Sequence, residues 1–453
     1  MLLVFIGGMG TKPGVPRIIT AASIGHVLEW FDYGVYAYFA TTISNVIFSG
    51  SASALLLTFL AYGIGLAFRP LGSIYFAHLG DKRGRKHSLL ITFWLMGLAT
   101  LLTGVVPPYV EIGVAAPILM TLLRVFQGFS AGGEWGGVGS YLVELGGSNR
   151  RAFYSSFQQI FILASVLIGD LVGLYITSFF PKTFVENIGW RLPFIVGGIV
   201  LIPLIFYLRR SLPETEPFEI VEKKKEIVRL PIAKVFIKEK KAMVLQLVGM
   251  LFTPVTFYTV LVYLPTYVIK ESKLPSIDGF LLVAIGSVVT IILIPVWAYI
   301  SDKRRDRKTH FLIASIGGAA LSYPLFYLIS TGVFLYAVIG IIVLQIVLSN
   351  YNGTINAFIA ESFPTNDRYS GFVPYNISTA YSGGFAGAIA IALISATKNP
   401  LSPSFYMIAA CVVSAIAIFF MKDGAKLETL PETESIYYSD ILERKSVEEK
   451  RQN

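Results

Sequence analysis

The sequence predicts an all-α integral membrane fold, with twelve transmembrane helices in two pseudo-symmetric six-helix bundles. Three observations predict it. The 453 residues are 54% hydrophobic, with a mean hydropathy of +0.66. Only 14% are charged, against roughly 25% in a typical soluble domain. Apolar runs close to the ~20 residues that cross a bilayer core recur along the whole chain. A large soluble core is excluded, because these runs are too long and too many for buried core helices.

The expected spans of the first half fall near 17–48, 53–79, 87–106, 113–142, 152–178 and 189–209. Those of the second half fall near 242–268, 278–300, 310–330, 332–360, 370–396 and 402–421. The first and fourth are long, which implies tilt or a cytosolic overhang. Little more than Gly332 separates the ninth from the tenth. The domains follow as a bundle over 1–209, a cytosolic linker over 210–241, a bundle over 242–421 and a polar cytosolic tail over 422–453.

Charge sets the orientation. The net charge of +9 lies in short loops, such as Lys82-Arg83-Gly84-Arg85-Lys86, Arg150-Arg151 and Lys303-Arg304-Arg305. Such loops stay cytosolic, which places both termini in the cytosol. This distribution argues against nucleic acid as a partner. Cys411 is the only cysteine, so neither an intrachain disulfide nor a cysteine metal cluster is available. Met1 to Gly10 is short and apolar and lacks the basic start of a cleavable signal.

The two halves echo each other. Asp81-Lys82-Arg83 follows the second span and Asp302-Lys303-Arg304 follows the eighth. Glu144 and Arg151 bracket the loop after the fourth span, and Glu361 and Arg368 bracket the loop after the tenth with the same separation. A duplicated six-helix unit explains both matches, and such repeats build carriers that rock about a central site.

Seven ionisable residues sit inside first-half spans: His26, Glu29, Asp32, Arg69, Arg124, Glu134 and Asp170. The second-half spans are expected to be uncharged throughout. Buried charge is costly and marks a path or a site. His26, Glu29 and Asp32 recur at three-residue spacing and so share a helix face. Two neighbouring acids raise each other's proton affinity, as does burial, so this face is the candidate proton site. Asp32 lies about 22 Å, and Arg69 about 18 Å, from the cytosolic ends of their spans, and Arg124 about 15 Å from the outer end of its own. A buried guanidinium needs a carboxylate, so Arg124 is expected to hold either a substrate carboxylate or one of the acids Asp32 and Glu29.

The motifs 25-GHVLEWFDYGVY-36, 69-RPLGSIYFAHLGDKRGRK-86 and 124-RVFQGFSAGGEWGG-137 occur together with 153-FYSSFQQ-159, 189-GWRLPF-194, 209-RRSLPETEPF-218 and 361-ESFPTNDRYSG-371. In this combination the chain resembles the major facilitator superfamily. More closely it resembles the metabolite:proton symporter family, which includes bacterial carriers for citrate, 2-oxoglutarate, shikimate and proline or betaine. Departures are Ala77 where the superfamily loop usually has Gly, and Lys82 where it has Arg. The resemblance implies that Arg124 is the membrane arginine of the fourth helix. It also implies the major facilitator fold and alternating access.

Proton coupling is therefore expected at Glu29, Asp32, His26 and Arg124. Substrate contacts are expected from Arg124, Gln127, Arg69, Gln158 and Gln159, facing Tyr258, Tyr263, Asn352, Asn356, Tyr375 and Asn376. Gating is expected from Asp81, Arg83, Arg85, Glu134, Glu144, Arg151, Asp302, Glu361 and Arg368. Glu134 is expected to pair within its half, with Arg69 as one partner. The expected function is proton-coupled symport of a small carboxylated metabolite across the cytoplasmic membrane. Symport of a zwitterionic osmolyte such as proline or betaine is the alternative, with metabolite export as another. The partners are that metabolite, protons and lipid, and the protein is expected to work as a monomer. A catalytic site, a metal and a cofactor are not expected, and the chain lacks a GxxxxGK[ST] phosphate loop.

Overall fold

The computed structural model describes residues 19–20, 22–83, 85–147, 149–203, 240–363 and 371–426. The expected linker over 210–241 falls almost entirely outside the described residues, as do Arg368, both chain ends and the motif 209–218.

The described chain is all helical. The first half contains α1 (Gly25–Tyr38), α2 (Ala40–Ile47), α3 (Ala54–Ala67), α4 (Arg69–Arg83), α5 (Arg85–Val105), α6 (Tyr109–Ile112), α7 (Ala115–Leu145), α8 (Arg151–Phe179), α9 (Lys182–Asn187) and α10 (Leu192–Val196). The second half contains α11 (Lys240–Gly249), α12 (Phe252–Phe257), α13 (Leu264–Lys270), α14 (Ser276–Arg304), α15 (Lys308–Ser330), α16 (Phe334–Glu361), α17 (Val373–Ser378), α18 (Ala386–Thr397) and α19 (Ser402–Phe420).

Eight helical segments among the described residues are long and apolar enough to cross a membrane, rather than the twelve expected. They correspond to the expected second and fifth spans and to all six of the second half. The other four expected spans differ for identifiable reasons. The first breaks at Phe39, between α1 and α2. The third and sixth keep only shorter apolar stretches, Leu90–Val105 and Gly189–Val200. The fourth, α7, has 31 residues, but Arg124, Glu134 and a run of glycines lower its apolar content. Gly332 adopts φ +71° between α15 and α16, so the ninth and tenth segments part where the sequence placed the break. The second-half helices are not uncharged as expected: α14 carries Asp278 in its first turn and α16 a buried Glu361 at its end.

Within the first half α1 packs on α8, and α3, α4 and α5 pack on α7. Close approach of α4 to α7 depends on glycine. A Cβ at Gly132 would collide with the Arg69 carbonyl, and one at Gly72 would collide with the Phe129 carbonyl. These contacts hold Arg69 at a fixed height. Within the second half α14 and α15 pack on α16, and α15 packs on α19. The halves meet where α8 contacts α14 and α16, where α3 contacts α18, and where α4 contacts α17.

Three helix lines are locally widened, the first at Gly197–Leu201 and two more in the second half. The segments Tyr258–Tyr263 and Thr379–Gly383 are π-helical, between α12 and α13 and between α17 and α18. Such insertions often occur at functional sites, and the first residue of each second-half segment faces the central cavity described next.

Candidate functional site

Buried polar groups form two ion pairs in the first half. In the first, Arg124 Nη1 lies 2.5 Å from Asp32 Oδ1. Gln127 Nε2 donates to the other Asp32 oxygen at 2.8 Å and to Thr100 Oγ1 at 3.0 Å. The Arg124 guanidinium also stacks 4.4 Å from the Tyr36 ring centre. Asp32 is thus fully engaged on both oxygens. Arg124 takes Asp32, not Glu29, as its carboxylate.

In the second pair, Arg69 Nη1 donates to Glu29 Oε1 at 3.0 Å. Arg69 Nε donates across the halves to Asn376 Oδ1 at 3.0 Å, and Asn376 Nδ2 donates to Ser73 at 3.3 Å. Arg69 thus pairs with Glu29, and Glu134 lies 4.0 Å from His26 Nδ1. His26 Nδ1 is also 3.5 Å from the free oxygen of Glu29. Ligand-type atoms of His26, Glu29 and Glu134 lie within 4.8 Å of one another. That spacing would suit a cation, but the Arg69 guanidinium already supplies the positive charge on Glu29, so no metal ligands are assigned here.

A narrow cavity lies between the halves, with free space for little more than one water molecule. Trp30, Trp135, Phe257, Tyr258, Tyr351 and Tyr375 supply its aromatic wall. Arg69, Gln159, Asn352, Thr253 and Thr379 supply its polar groups. The rings touch one another: Trp30 lies 6.2 Å from Trp135, 5.1 Å from Phe257 and 6.3 Å from Tyr258, and Trp135 lies 5.1 Å from Tyr375. Arg69 sits 5.6 Å over Trp135. Five buried donors of this wall have no hydrogen-bond partner among the described residues: Arg69 Nη2, Trp30 Nε1, Trp135 Nε1 and the hydroxyls of Tyr258 and Thr379. Buried donors without partners are costly, and a ligand carrying acceptor oxygens would satisfy them.

The structure thus brings Arg69, Gln159, Tyr258, Asn352 and Tyr375 to the cavity wall. Arg124 and Gln127 lie within the Asp32 pair, outside the cavity lining. Tyr263, Gln158, Asn356 and Asn376 are also outside the lining. Trp30, Trp135, Phe257, Tyr351, Thr253 and Thr379 were not among the expected site residues. Trp30 and Trp135 adjoin Glu29 and Glu134 inside two quoted motifs, which was the available signal. Asp170 is buried in α8, and its Oδ2 has no hydrogen-bond partner among the described residues.

At one end of the molecule, Asp302, Arg151 and Glu361 converge. Asp302 accepts from the backbone amides of Ala152 and Phe153 at 3.1 and 2.8 Å, where a helix start favours negative charge. Glu361 receives Arg307 through two bonds at 3.1 and 3.2 Å and lies 3.7 Å from Arg151. Arg307 also reaches Asp302 at 2.7 Å. Burial disfavours the charge on Arg307, but Glu361 and Asp302 outweigh it and hold the guanidinium above its ordinary pKa. Arg307 is the hub of this cluster and was not among the expected gating residues. Asp81, Arg83 and Arg85 fall at the junction of α4 and α5, and Glu144 at the end of α7.

Comparison with known proteins decides the family. The Major Facilitator Superfamily model matches residues 22–388 and 281–447. The chain belongs to the Major Facilitator Superfamily. It is 34% identical over 413 residues to a Staphylococcus aureus (strain COL) protein named for proline/betaine transport, covering 89% of this chain and 88% of that one. It is 30% identical over 417 residues to a citrate-proton symporter of Klebsiella pneumoniae, covering 91% and 93%. The crystal structure of a D-xylose-proton symporter superposes with a TM-score of 0.71 at 18% identity, covering 92% of this chain and all of that one, which speaks to fold alone. The protein is a multi-pass membrane carrier of this superfamily and not an enzyme.

Proposed function

We propose that this superfamily member is a proton-coupled symporter of a small zwitterionic osmolyte, of the betaine or proline kind. The observation that carries the reading is one guanidinium beside a ring of aromatic faces. Arg69 presents an unpartnered Nη2 at the cavity, where it would take a carboxylate in charge-assisted hydrogen bonds. Trp30, Trp135, Tyr258 and Tyr375 present faces that attract an alkylated ammonium through their quadrupoles. A polyanion is less well served, because Glu29 already neutralises this arginine. The proline/betaine name of one relative agrees with this reading, and the citrate name of another supplies the competing class.

Two six-helix halves would rock about the cavity, with the Asp302–Arg307–Glu361 cluster closing the cytosolic side and both termini in the cytosol. Protons would be carried by the face of Glu29, His26 and Asp32. A proton on Glu29 weakens its hold on Arg69 and frees the guanidinium for substrate, which links proton binding to substrate binding at one residue. Two of the five tryptophans line the cavity, so tryptophan emission reads its occupancy. Titration of the purified carrier with betaine, proline, citrate and a monocarboxylate should give saturable quenching by a zwitterion. Saturable quenching by citrate alone would overturn the substrate class.

A further inference from the structure

We propose that Gln158 is a positioning residue that converts the protonation state of His26 into a hydrogen bond between the two halves. The inference rests on proton coupling as proposed above, but not on the identity of the solute.

The argument starts from a group that has only one role. The Ser155 carbonyl can only accept, and Asn356 Nδ2 lies 3.0 Å from it. The Asn356 amide nitrogen is thereby fixed. The same nitrogen lies 3.1 Å from the Gln158 side chain, so the Gln158 atom facing it must be the acceptor Oε1. Gln158 Nε2 then points the other way, 3.0 Å from His26 Nε2 and 3.4 Å from the Trp135 carbonyl. A donor faces His26, so His26 Nε2 must hold a lone pair. The imidazole proton is consequently on Nδ1, directed at Glu29 Oε2 at 3.5 Å and Glu134 Oε1 at 4.0 Å.

Every partner in this chain is buried. Three charged groups bear on His26. Glu29 lies on its own helix, Glu134 comes from α7, and Arg69 comes from α4 through Glu29. Gln158 on α8, Asn356 beyond it on α16 and the Trp135 ring, 5.9 Å from the imidazole, are neutral.

A second proton on His26 would make Nε2 a donor. Two donors would then face each other across 3.0 Å. Rotating the Gln158 amide relieves that contact, but it turns Nε2 onto Asn356 Nδ2 and again sets donor against donor. The Gln158–Asn356 bond cannot coexist with imidazolium in this geometry. That bond joins α8 of the first half to α16 of the second, five residues from Glu361 in the cytosolic cluster. Protonation therefore removes one tie across the closed face. Gln158 and Asn356, expected from the sequence to touch substrate, act here on the halves instead.

The test uses the full-length carrier in lipid nanodiscs, with Cys411→Ala and spin labels on cysteines at the exposed positions Asn149 and Arg304. Distances between labels are measured from neutral to acidic pH without solute. The otherwise unaltered carrier should show a longer-distance population that grows on acidification. Gln158→Glu, whose carboxylate can accept from both His26 and Asn356, should lose that pH response and stay closed. His26→Gln, which cannot be protonated, should lose it as well. Asn356→Ala should show the longer distance already at neutral pH. An unaltered pH response in folded Gln158→Glu, or no pH response before any substitution, would overturn the proposal. Tryptophan quenching by betaine in the same samples separates the two readings. Its absence with an intact pH-dependent distance would sink the solute assignment and leave the relay standing.

Discussion

The Arg124–Asp32 pair makes a quantitative claim. Both side chains are almost fully buried, and among the described residues the Asp32 carboxylate pairs with Arg124 as its cation. Arg124→Gln would leave Asp32 with the Gln127 amide at 2.8 Å and no positive charge. Breaking a buried pair from one side costs about 3–5 kcal/mol. Asp32→Asn should cost a comparable amount, since it strands the guanidinium. The double variant removes both charges and should cost less than the two single effects summed, by a coupling energy of about 1–3 kcal/mol. The assay is reversible or scan-rate-controlled thermal unfolding of the four proteins in one detergent at neutral pH. If the two single effects simply add, or if Arg124→Gln leaves stability unchanged, the pair does not exist as described and Arg124 is free for another ligand.

Three further expectations follow from the same geometry. Trp30→Leu and Trp135→Leu should each weaken binding of a quaternary ammonium zwitterion by about 0.5–2 kcal/mol, or roughly 2- to 30-fold in Kd, with a smaller effect on a monocarboxylate lacking the cation; competitive quenching or radioligand binding measures both. Gly132→Ala should shift the backbone of α4 at Arg69 and lower both thermal stability and solute affinity, whereas alanine at Gly147, which has open space around it, should spare affinity. Burial pushes the Asp306 carboxyl upward, but hydrogen bonds from the Thr309 amide and hydroxyl and the charge of Lys426 outweigh it and hold the group at about 2. Its folded pKa is thus below its unfolded value of 3.8. It therefore stabilises the fold above about pH 4, and that contribution is lost as pH falls towards 2; Asp306→Asn should flatten this part of the stability curve.

The sequence carried much of this because bilayers constrain composition so strongly. Six of six second-half segments were readable as apolar runs, since nothing interrupts them. The first-half spans were harder, because the residues that do chemistry dilute the hydropathy that would reveal a span. In α7 Arg124, Glu134 and the glycines serve site and packing at the cost of apolarity. Spacing correctly gathered His26, Glu29 and Asp32 on α1, but it could not say which acid meets which arginine. That choice depends on the rotation of α4 and α7, fixed by glycine contacts that join residues some sixty apart in the chain, as between Gly132 and Arg69. The cavity wall was the least legible part. Trp30 and Trp135 gain a role only through Phe257, Tyr258 and Tyr375, which come from the other half of the chain. Arg307 was hidden for a related reason, because its two partners come from different helices.

The central claim is that Arg69 and the aromatic wall hold a zwitterion whose entry is driven by protons. Uptake into proteoliposomes under an imposed inward proton gradient tests it most directly, with betaine, proline, citrate and a monocarboxylate offered side by side. The account predicts gradient-dependent accumulation of betaine or proline, abolished by dissipating the gradient and sharply reduced by Arg69→Lys. Accumulation of citrate or the monocarboxylate without either zwitterion, or zwitterion flux indifferent to the proton gradient, would contradict it.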